Sequence, residues 1–233
     1  MVTSIITNWK LNPKERKPLT IEDTGKKDHN VLCAIQAWTK STRYPGKIYA
    51  QLAGAPLLFH TINRIGLVSN ISTTVVASPE DLAVPDGIEV FIHRKAMDKD
   101  VLSLYYNAMV RYKPDYVVRI TSDCPVLDPF LVEFILHQAI KYKADYCSNV
   151  MYPLSFPDGQ DVEIISTNLL EFLNNTVKSK DGREHVTLEF RKRPLWHQSF
   201  NTIDIRNCTN YSHVKLSIDT PADLKRLEAM EMV

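Results

Sequence analysis

From Val31 onward, short apolar runs alternate with segments whose apolar residues recur at helical spacing. Strands are predicted over Val31–Gln36, Thr73–Ala77, Glu89–Ile92, Asp115–Ile120 and Ala144–Ser148. Between them, Pro56–Ile65 opens with proline at a helix start. Asp100–Tyr112 brings Val101, Leu104, Tyr105, Ala108 and Met109 onto one helical face, and Pro129–Tyr142 does the same with Leu131, Phe134, Ile135 and Ile140. This alternation predicts an α/β fold with a mostly parallel central sheet flanked by helices, the strands apolar enough to be covered on both faces. After Pro153 the pattern loosens. Asp161–Ser166 reads as a strand, Asn168–Val177 and Glu184–Arg191 as helices, and Phe200–Ile205 with His213–Ser217 as strands forming a small antiparallel extension. Thr220 is the expected N-cap of a last helix, with Pro221 at its first position and Asp223 at its positive end.

Residues 1–30 differ from the rest. Asn12–Pro18 and Glu22–Asn30 are polar and charged without a sustained period, so this part is expected to be a flexible or surface-draped extension. Only Ile5, Ile6 and Trp9 suggest that its start docks. Residues 31–233 are then expected to form one domain. The chain has 233 residues, 28 of them basic and 27 acidic, for a formal charge of +1. That balance gives no general attraction to nucleic acid or membrane, so anion binding must come from a local cluster. Cys33, Cys124, Cys147 and Cys208 are scattered without a CxxC pair, as expected of a reduced, cytoplasmic protein. No run approaches transmembrane length.

The candidate chemistry begins where the Val31–Gln36 strand ends. Ligands of open α/β sheets bind outside the carboxyl ends of strands. There the chain carries Thr39, Ser41 and Thr42 with Lys40, Arg43 and Lys47, a set suited to phosphate or to ordinary surface solvation. The chain contains neither a GxGxxG fingerprint nor a Walker loop, so cationic side chains must supply what exposed amides supply elsewhere. Asp123 follows the strand ending at Ile120, and Asp219 precedes the last helix. Each could serve as a turn or helix-start aspartate, or the two together could hold Mg²⁺ with phosphate oxygens.

Seven segments in order carry a resemblance: Gln36–Lys47 (QAWTKSTRYPGK), Leu52–Leu58, Asp100–Tyr106, Val118–Pro125 (VRITSDCP), Pro157–Glu163 (PDGQDVE), Arg183–Thr187 and Ile218–Leu224 (IDTPADL). Together they resemble the cytidylyltransferases that include spore-coat polysaccharide synthesis proteins and, more distantly, the CMP-Kdo and CMP-sialate synthetases. The resemblance implies a GT-A-like, nucleotide-diphospho-sugar transferase fold and transfer of CMP from CTP to a small-molecule acceptor, releasing pyrophosphate. It further implies that Lys47 and Arg43 are catalytic and hold the triphosphate. Ala37, Trp38, Lys40, Ser41, Thr42 and Ser122 would surround the nucleotide, and Asp123 and Asp219 would bind Mg²⁺. Asp158, Asp161, Glu163, Arg183, Glu184 and His185 are the expected acceptor contacts, although each also has an ordinary structural use. Homodimers are common in such families, but no stripe of this chain marks an interface.

The first motif departs from the family pattern. Trp38 stands where arginine is usual, Thr39 replaces methionine, and Lys40 replaces glycine. Trp38 either stacks on a base or packs beneath the loop, and Lys40 supplies a cation without bidentate geometry. Two alternatives follow: a GT-A-type glycosyltransferase, although the usual DxD pair is missing at Asp123-Cys124-Pro125, or a degenerate nucleotide-binding relative.

Overall fold

A computed structural model describes residues 2–15 and 29–230. Its central strand, β2 (Val31–Gln36), alternates its side chains between two cores. Val31, Cys33 and Ile35 pack on one face with α1 (Leu57–Ile65) and α3 (Pro129–Lys141). Leu32 and Ala34 pack on the other with α2 (Val101–Tyr112) and α4 (Thr167–Thr176). A strand buried on both faces needs an apolar residue at every position, which is why the run has no polar alternation.

Among the described residues, eight strands form the sheet. β1 (Val2–Thr7) lies at one edge and β6 (Glu89–Ile92) at the other, in the order β1-β10-β8-β9-β7-β2-β5-β6. The remaining members are β5 (Thr73–Ser78), β7 (Tyr116–Thr121), β8 (Tyr146–Ser148), β9 (Glu163–Ser166) and β10 (Thr202–Asn207). β9 runs antiparallel to both β7 and β8, and the other pairings in this sheet are parallel. β3 (Gln51–Leu52) and β4 (Ala55–Pro56) make a separate two-residue antiparallel pair. The expected mostly parallel sheet is thus present, and its antiparallel part is β9 rather than the 200–205 strand. β10 is parallel to both of its neighbours.

Three further expectations are corrected. Residues 2–7 are not draped over the surface: β1 pairs with β10 from Val2↔Thr202 to Thr7↔Asn207. Trp9 follows in the core, its indole N–H donating to Asp128 Oδ2 at 2.7 Å. The Glu22–Asn30 run falls mostly outside the described residues. The segment 213–217 is not a strand; it keeps one bridge, Asp158↔Lys215, because its amides bond to a turn instead. The helix predicted over 184–191 is broken into α5 (Lys180–Glu184) and α6 (Leu188–Lys192). Between them Val186 is buried with φ 54°, a conformation costly for a β-branched residue and held by its packing in the second core. The last helix, α7 (Pro221–Ala229), starts with the expected cap as a full capping box between Thr220 and Asp223.

Candidate active site

Parallel register brings two loops to one sheet edge. Gln36, the last residue of β2, sits opposite Thr121, the last of β7, and the Ser122 N–H donates to the Gln36 carbonyl at 3.0 Å. The chain leaving β2 folds back as a closed loop. The Gly46 N–H reaches the Thr39 carbonyl at 2.7 Å, with Gly46 at φ 70°, where glycine carries no Cβ penalty. Thr39 is tethered through its N–H and hydroxyl to Glu80 Oε1 at 2.8 and 2.7 Å. This fixes Lys47 at the start of a short 3₁₀ turn, its side chain directed inward.

A third segment completes the edge. Gly159, at φ 100°, lies so close to residues 216–217 that a Cβ there would stand 2.5 Å from the Ser217 nitrogen. The Asp158 carbonyl accepts from the Leu216 and Ser217 N–H groups, and the Ile218 N–H donates to the Asp123 carbonyl at 2.9 Å. These contacts carry Asp219 to Asp123.

Four predicted residues therefore meet. Lys47 Nζ donates to Asp123 Oδ2 at 2.8 Å, Asp219 Oδ1 at 3.1 Å and the Ile218 carbonyl at 2.8 Å. Arg43 reaches the same Asp219 Oδ1 at 2.9 Å. Lys215 holds the opposite oxygen, Oδ2, at 3.0 Å and also bonds Asp223. Burial disfavours the Lys47 ammonium, but Asp123 and Asp219 more than compensate and hold its pKa above the ordinary lysine value. Burial likewise works against ionised Asp219, yet hydrogen bonds from Lys215 and Lys47 keep its carboxyl below the usual range. Both groups are charged at neutral pH.

Around this cluster lies a cleft of about 270 Å³ lined also by Trp38, Lys40, Ser41, Thr42, Ser122, Lys99 and Glu184. Trp38 borders the cleft, its indole N–H buried without a hydrogen-bond partner among the described residues; the same holds for Gln36 Oε1 beside it. Ala37 is buried outside the cleft lining, and its N–H continues the sheet by donating to the Ala77 carbonyl at 3.1 Å, so that N–H is not available to a nucleotide.

A second recess of about 210 Å³ adjoins the cleft, Thr121 lining both. Of the expected acceptor contacts, Asp161, Glu163 and His185 line it, while Glu184 lines the cleft and pairs with Lys99 at 3.2 Å. Burial and then the charges of Asp158 and Glu163 push the Asp161 pKa up to about 7. Glu163 is depressed instead: burial opposes its charge, but Arg119 and Arg191 outweigh it. Its carboxylate accepts from Arg119, Tyr146 and Thr187. Asp158 and Arg183, also expected as acceptor contacts, line neither the cleft nor the recess. Asp158 is an exposed turn residue whose carbonyl orders the 216–217 segment. Arg183 is consumed by Asp100 Oδ1 at 2.6 Å, the Asn174 and Val177 carbonyls and Asn174 Oδ1, tying α5 to α2 and α4.

The structure also contributes residues that sequence reasoning missed: Gln36, Lys99, Arg119, Thr121, Arg191 and Lys215. Gln36, Arg119 and Thr121 lie within the quoted motif segments, and Arg119 also stands out as a charge inside the apolar strand 115–120. Among the described residues no group of three or more His, Cys, Asp or Glu side chains could hold a metal. Two carboxylates around one ammonium nevertheless suit a hard cation that keeps water or phosphate oxygens as its other ligands. No described helix is long and apolar enough to cross a membrane.

Comparison with known proteins bears on the fold and the family. The spore coat polysaccharide biosynthesis protein SpsF of Bacillus subtilis (strain 168) is 26% identical over 213 residues, covering 87% of this chain and 86% of that protein. A cytidylyltransferase structure from Leptospira borgpetersenii superposes with a TM-score of 0.75 at 24% identity, covering 86% of this chain and 84% of that one. CMP:2-keto-3-deoxy-manno-octonic acid synthetase, solved with CTP, gives 0.63 at 17% identity, covering 86% and 98%. Both solved structures share the fold. The cytidylyltransferase profile itself matches residues 32–233, the span that carries every residue lining the cleft, and on that match the chain belongs to the cytidylyltransferase family.

Proposed function

We propose that this cytidylyltransferase transfers CMP from CTP to a hydroxyl of a small sugar acid, sugar or polyol phosphate, releasing pyrophosphate, with Mg²⁺ as cofactor. The observation that carries the reading is the convergence of Lys47 and Arg43 on Asp219, with Lys47 also on Asp123, at the carboxyl ends of β2 and β7. The acceptor oxygen forms a bond to the α-phosphorus, the bond to the β-phosphate bridging oxygen breaks, and the acceptor proton leaves to water. Charge then grows on the departing pyrophosphate. Lys47 and Arg43 would neutralise it, and fixed cations in a cleft are worth more than mobile ones in water. Asp123 and Asp219 would hold Mg²⁺, which supplies further charge neutralisation on the phosphates. The likeness to SpsF supports a role in surface polysaccharide synthesis, in the cytoplasm where CTP is made.

One observation favours a second reading. A tryptophan rather than a guanidinium borders the cleft at position 38, which suits a relative that binds nucleotide without turning it over. Pyrophosphate release separates the two. CTP with Mg²⁺ and a panel of sugar acids, sugars and polyol phosphates is expected to release pyrophosphate, and ATP, GTP and UTP far less. Asp219→Asn is expected to abolish the Mg²⁺-dependent rate while leaving the melting curve within a few degrees. Wild-type turnover in that variant removes Asp219 from the metal site; CTP binding without turnover across the panel supports the second reading.

A further inference from the structure

We propose that the recess beside the cleft binds an anionic group of the acceptor, a carboxylate or a phosphate, through the guanidinium groups of Arg119 and Arg191. The inference rests on the cytidylyltransferase reading, because it takes the adjoining cleft as the nucleotide site.

The two arginines come from separate elements, β7 and α6, and line the same recess. Each is anchored at one end with donors to spare. Arg119 Nη1 donates to Glu163 Oε1 at 2.5 Å, and Arg191 Nη1 to the Val150 carbonyl at 3.1 Å. The Nε–H of each is buried without a hydrogen-bond partner among the described residues. A buried N–H left unmade costs about 1–3 kcal/mol, so both guanidinium groups that line the recess are incompletely satisfied among the described residues. Guanidinium forks suit the oxygens of carboxylate and phosphate because their N–H groups diverge at a fixed angle.

Charge points the same way. Glu163 compensates Arg119, but its oxygens are already taken by Arg119, Tyr146 and Thr187. Arg191 is held by a neutral carbonyl. The other carboxylate of the recess, Asp161, reaches solvent, yet lost hydration and the charges of Asp158 and Glu163 raise its pKa to about 7. In its protonated fraction the recess carries one uncompensated positive charge, which an entering anion neutralises. Whole-ligand pockets usually span about 300–1,000 Å³, and this recess has about 210 Å³. It fits a head group rather than an entire acceptor. Thr121, shared by both cavities, puts that head group next to the cleft where the acceptor hydroxyl must meet the nucleotide.

The test measures binding rather than turnover. Gluconate (carboxylate arm), glycerol 3-phosphate (phosphate arm) and glycerol (uncharged arm) are titrated calorimetrically into the full chain, with and without saturating CTP. The wild type is expected to bind at least one anion in the presence of CTP, and glycerol at least tenfold more weakly. Arg191→Gln is expected to weaken that anion at least tenfold while CTP binds within twofold of wild type, and Arg191→Lys to recover part of the loss. Arg191 is chosen because Arg119→Gln leaves Glu163 buried without its cation. CTP binding with no anion bound, or with anion binding equal in Arg191→Gln and wild type, overturns the inference alone. Absence of CTP binding overturns the cytidylyltransferase reading, and the acceptor assignment falls with it.

Discussion

Lys47→Met separates what Lys47 does for the fold from what it does for a ligand. Methionine keeps most of the side-chain volume and removes the charge. Three hydrogen bonds disappear, but their losses are unequal. Asp219 keeps Arg43 and Lys215, whereas Asp123 has no other ion pair among the described residues and the Ile218 carbonyl loses a buried donor. Stranding a fully buried charge costs about 3–5 kcal/mol. Asp123 is 25% exposed, so water offsets part of that penalty. A net destabilisation of about 2 kcal/mol follows, or roughly 4–8 °C in melting temperature for a chain of this size.

Two further readouts depend on function. A charge-assisted hydrogen bond to phosphate is worth about 1.5–3 kcal/mol, so CTP affinity should fall roughly ten- to a hundred-fold while CMP, lacking the β- and γ-phosphates, binds within about twofold of wild type. Mg²⁺ should raise the melting temperature of Lys47→Met more than that of the wild type, because Asp123 no longer has an internal cation. Calorimetry with the two nucleotides and melting curves with and without Mg²⁺ decide the matter. Equal losses for CTP and CMP would remove Lys47 from the β- and γ-phosphates, and an unchanged Mg²⁺ response would remove Asp123 from the metal site.

Other perturbations test the rest of the site. Trp38→Arg puts back the family's usual cation at the cleft, and CTP should bind about tenfold tighter; unchanged affinity in calorimetry would show that Trp38 does not face the phosphates. Asp161→Asn tests the raised carboxyl. Since its folded pKa lies near 7 and the unfolded value near the ordinary 3.8, the folded state binds the extra proton between those values, and the penalty is full above pH 7 and absent below pH 4. The variant should therefore be more stable than wild type at pH 8, by on the order of 1 kcal/mol once solvent screening is allowed for, with the gain vanishing at pH 4. Equal melting differences at the two pH values would contradict that assignment.

The sequence made the first half of the fold legible because its strands are buried on both faces and its helices are strongly periodic. β2, β5, β6 and α2 fall within a residue or so of their expected bounds. β1 was hidden because an edge strand pairs on one side only and exposes Thr3 and Ser4, leaving no apolar run. The direction of β10 was hidden for another reason: the same residues pair in either sense, and only the positions of β1 and β8 decide. The break at Val186 could not be read, since β-branched residues avoid positive φ and tertiary packing imposes it. Side chains whose work is local were the misleading ones. Arg183 looks like a ligand in a motif, yet its guanidinium is spent on two neighbouring elements, α2 and α4.

What the motifs did not indicate is how Arg43, Lys47, Asp123 and Asp219 pair with one another before any ligand arrives. Like charges gathered for a polyanion or a cation repel in the empty cleft, and uncompensated ions near the interior are costly. This cleft avoids both costs by pairing the two sets: Lys47 lies between the aspartates, Arg43 closes on Asp219, and Lys215 steadies its far oxygen. On the proposed reading an incoming triphosphate would draw Lys47 and Arg43 toward its oxygens, and the aspartates would be freed together for a hard cation. Triphosphate and metal would then be coupled by this exchange, since each would release the partners the other needs. CTP affinity should therefore rise with Mg²⁺ by more than the charge of the metal–nucleotide complex alone explains. Because Lys47 alone among the described residues touches both aspartates, most of that coupling should vanish in Lys47→Met and survive in Arg43→Met. Calorimetric titration of CTP across Mg²⁺ concentrations measures it directly, and equal coupling in the two variants would refute the exchange.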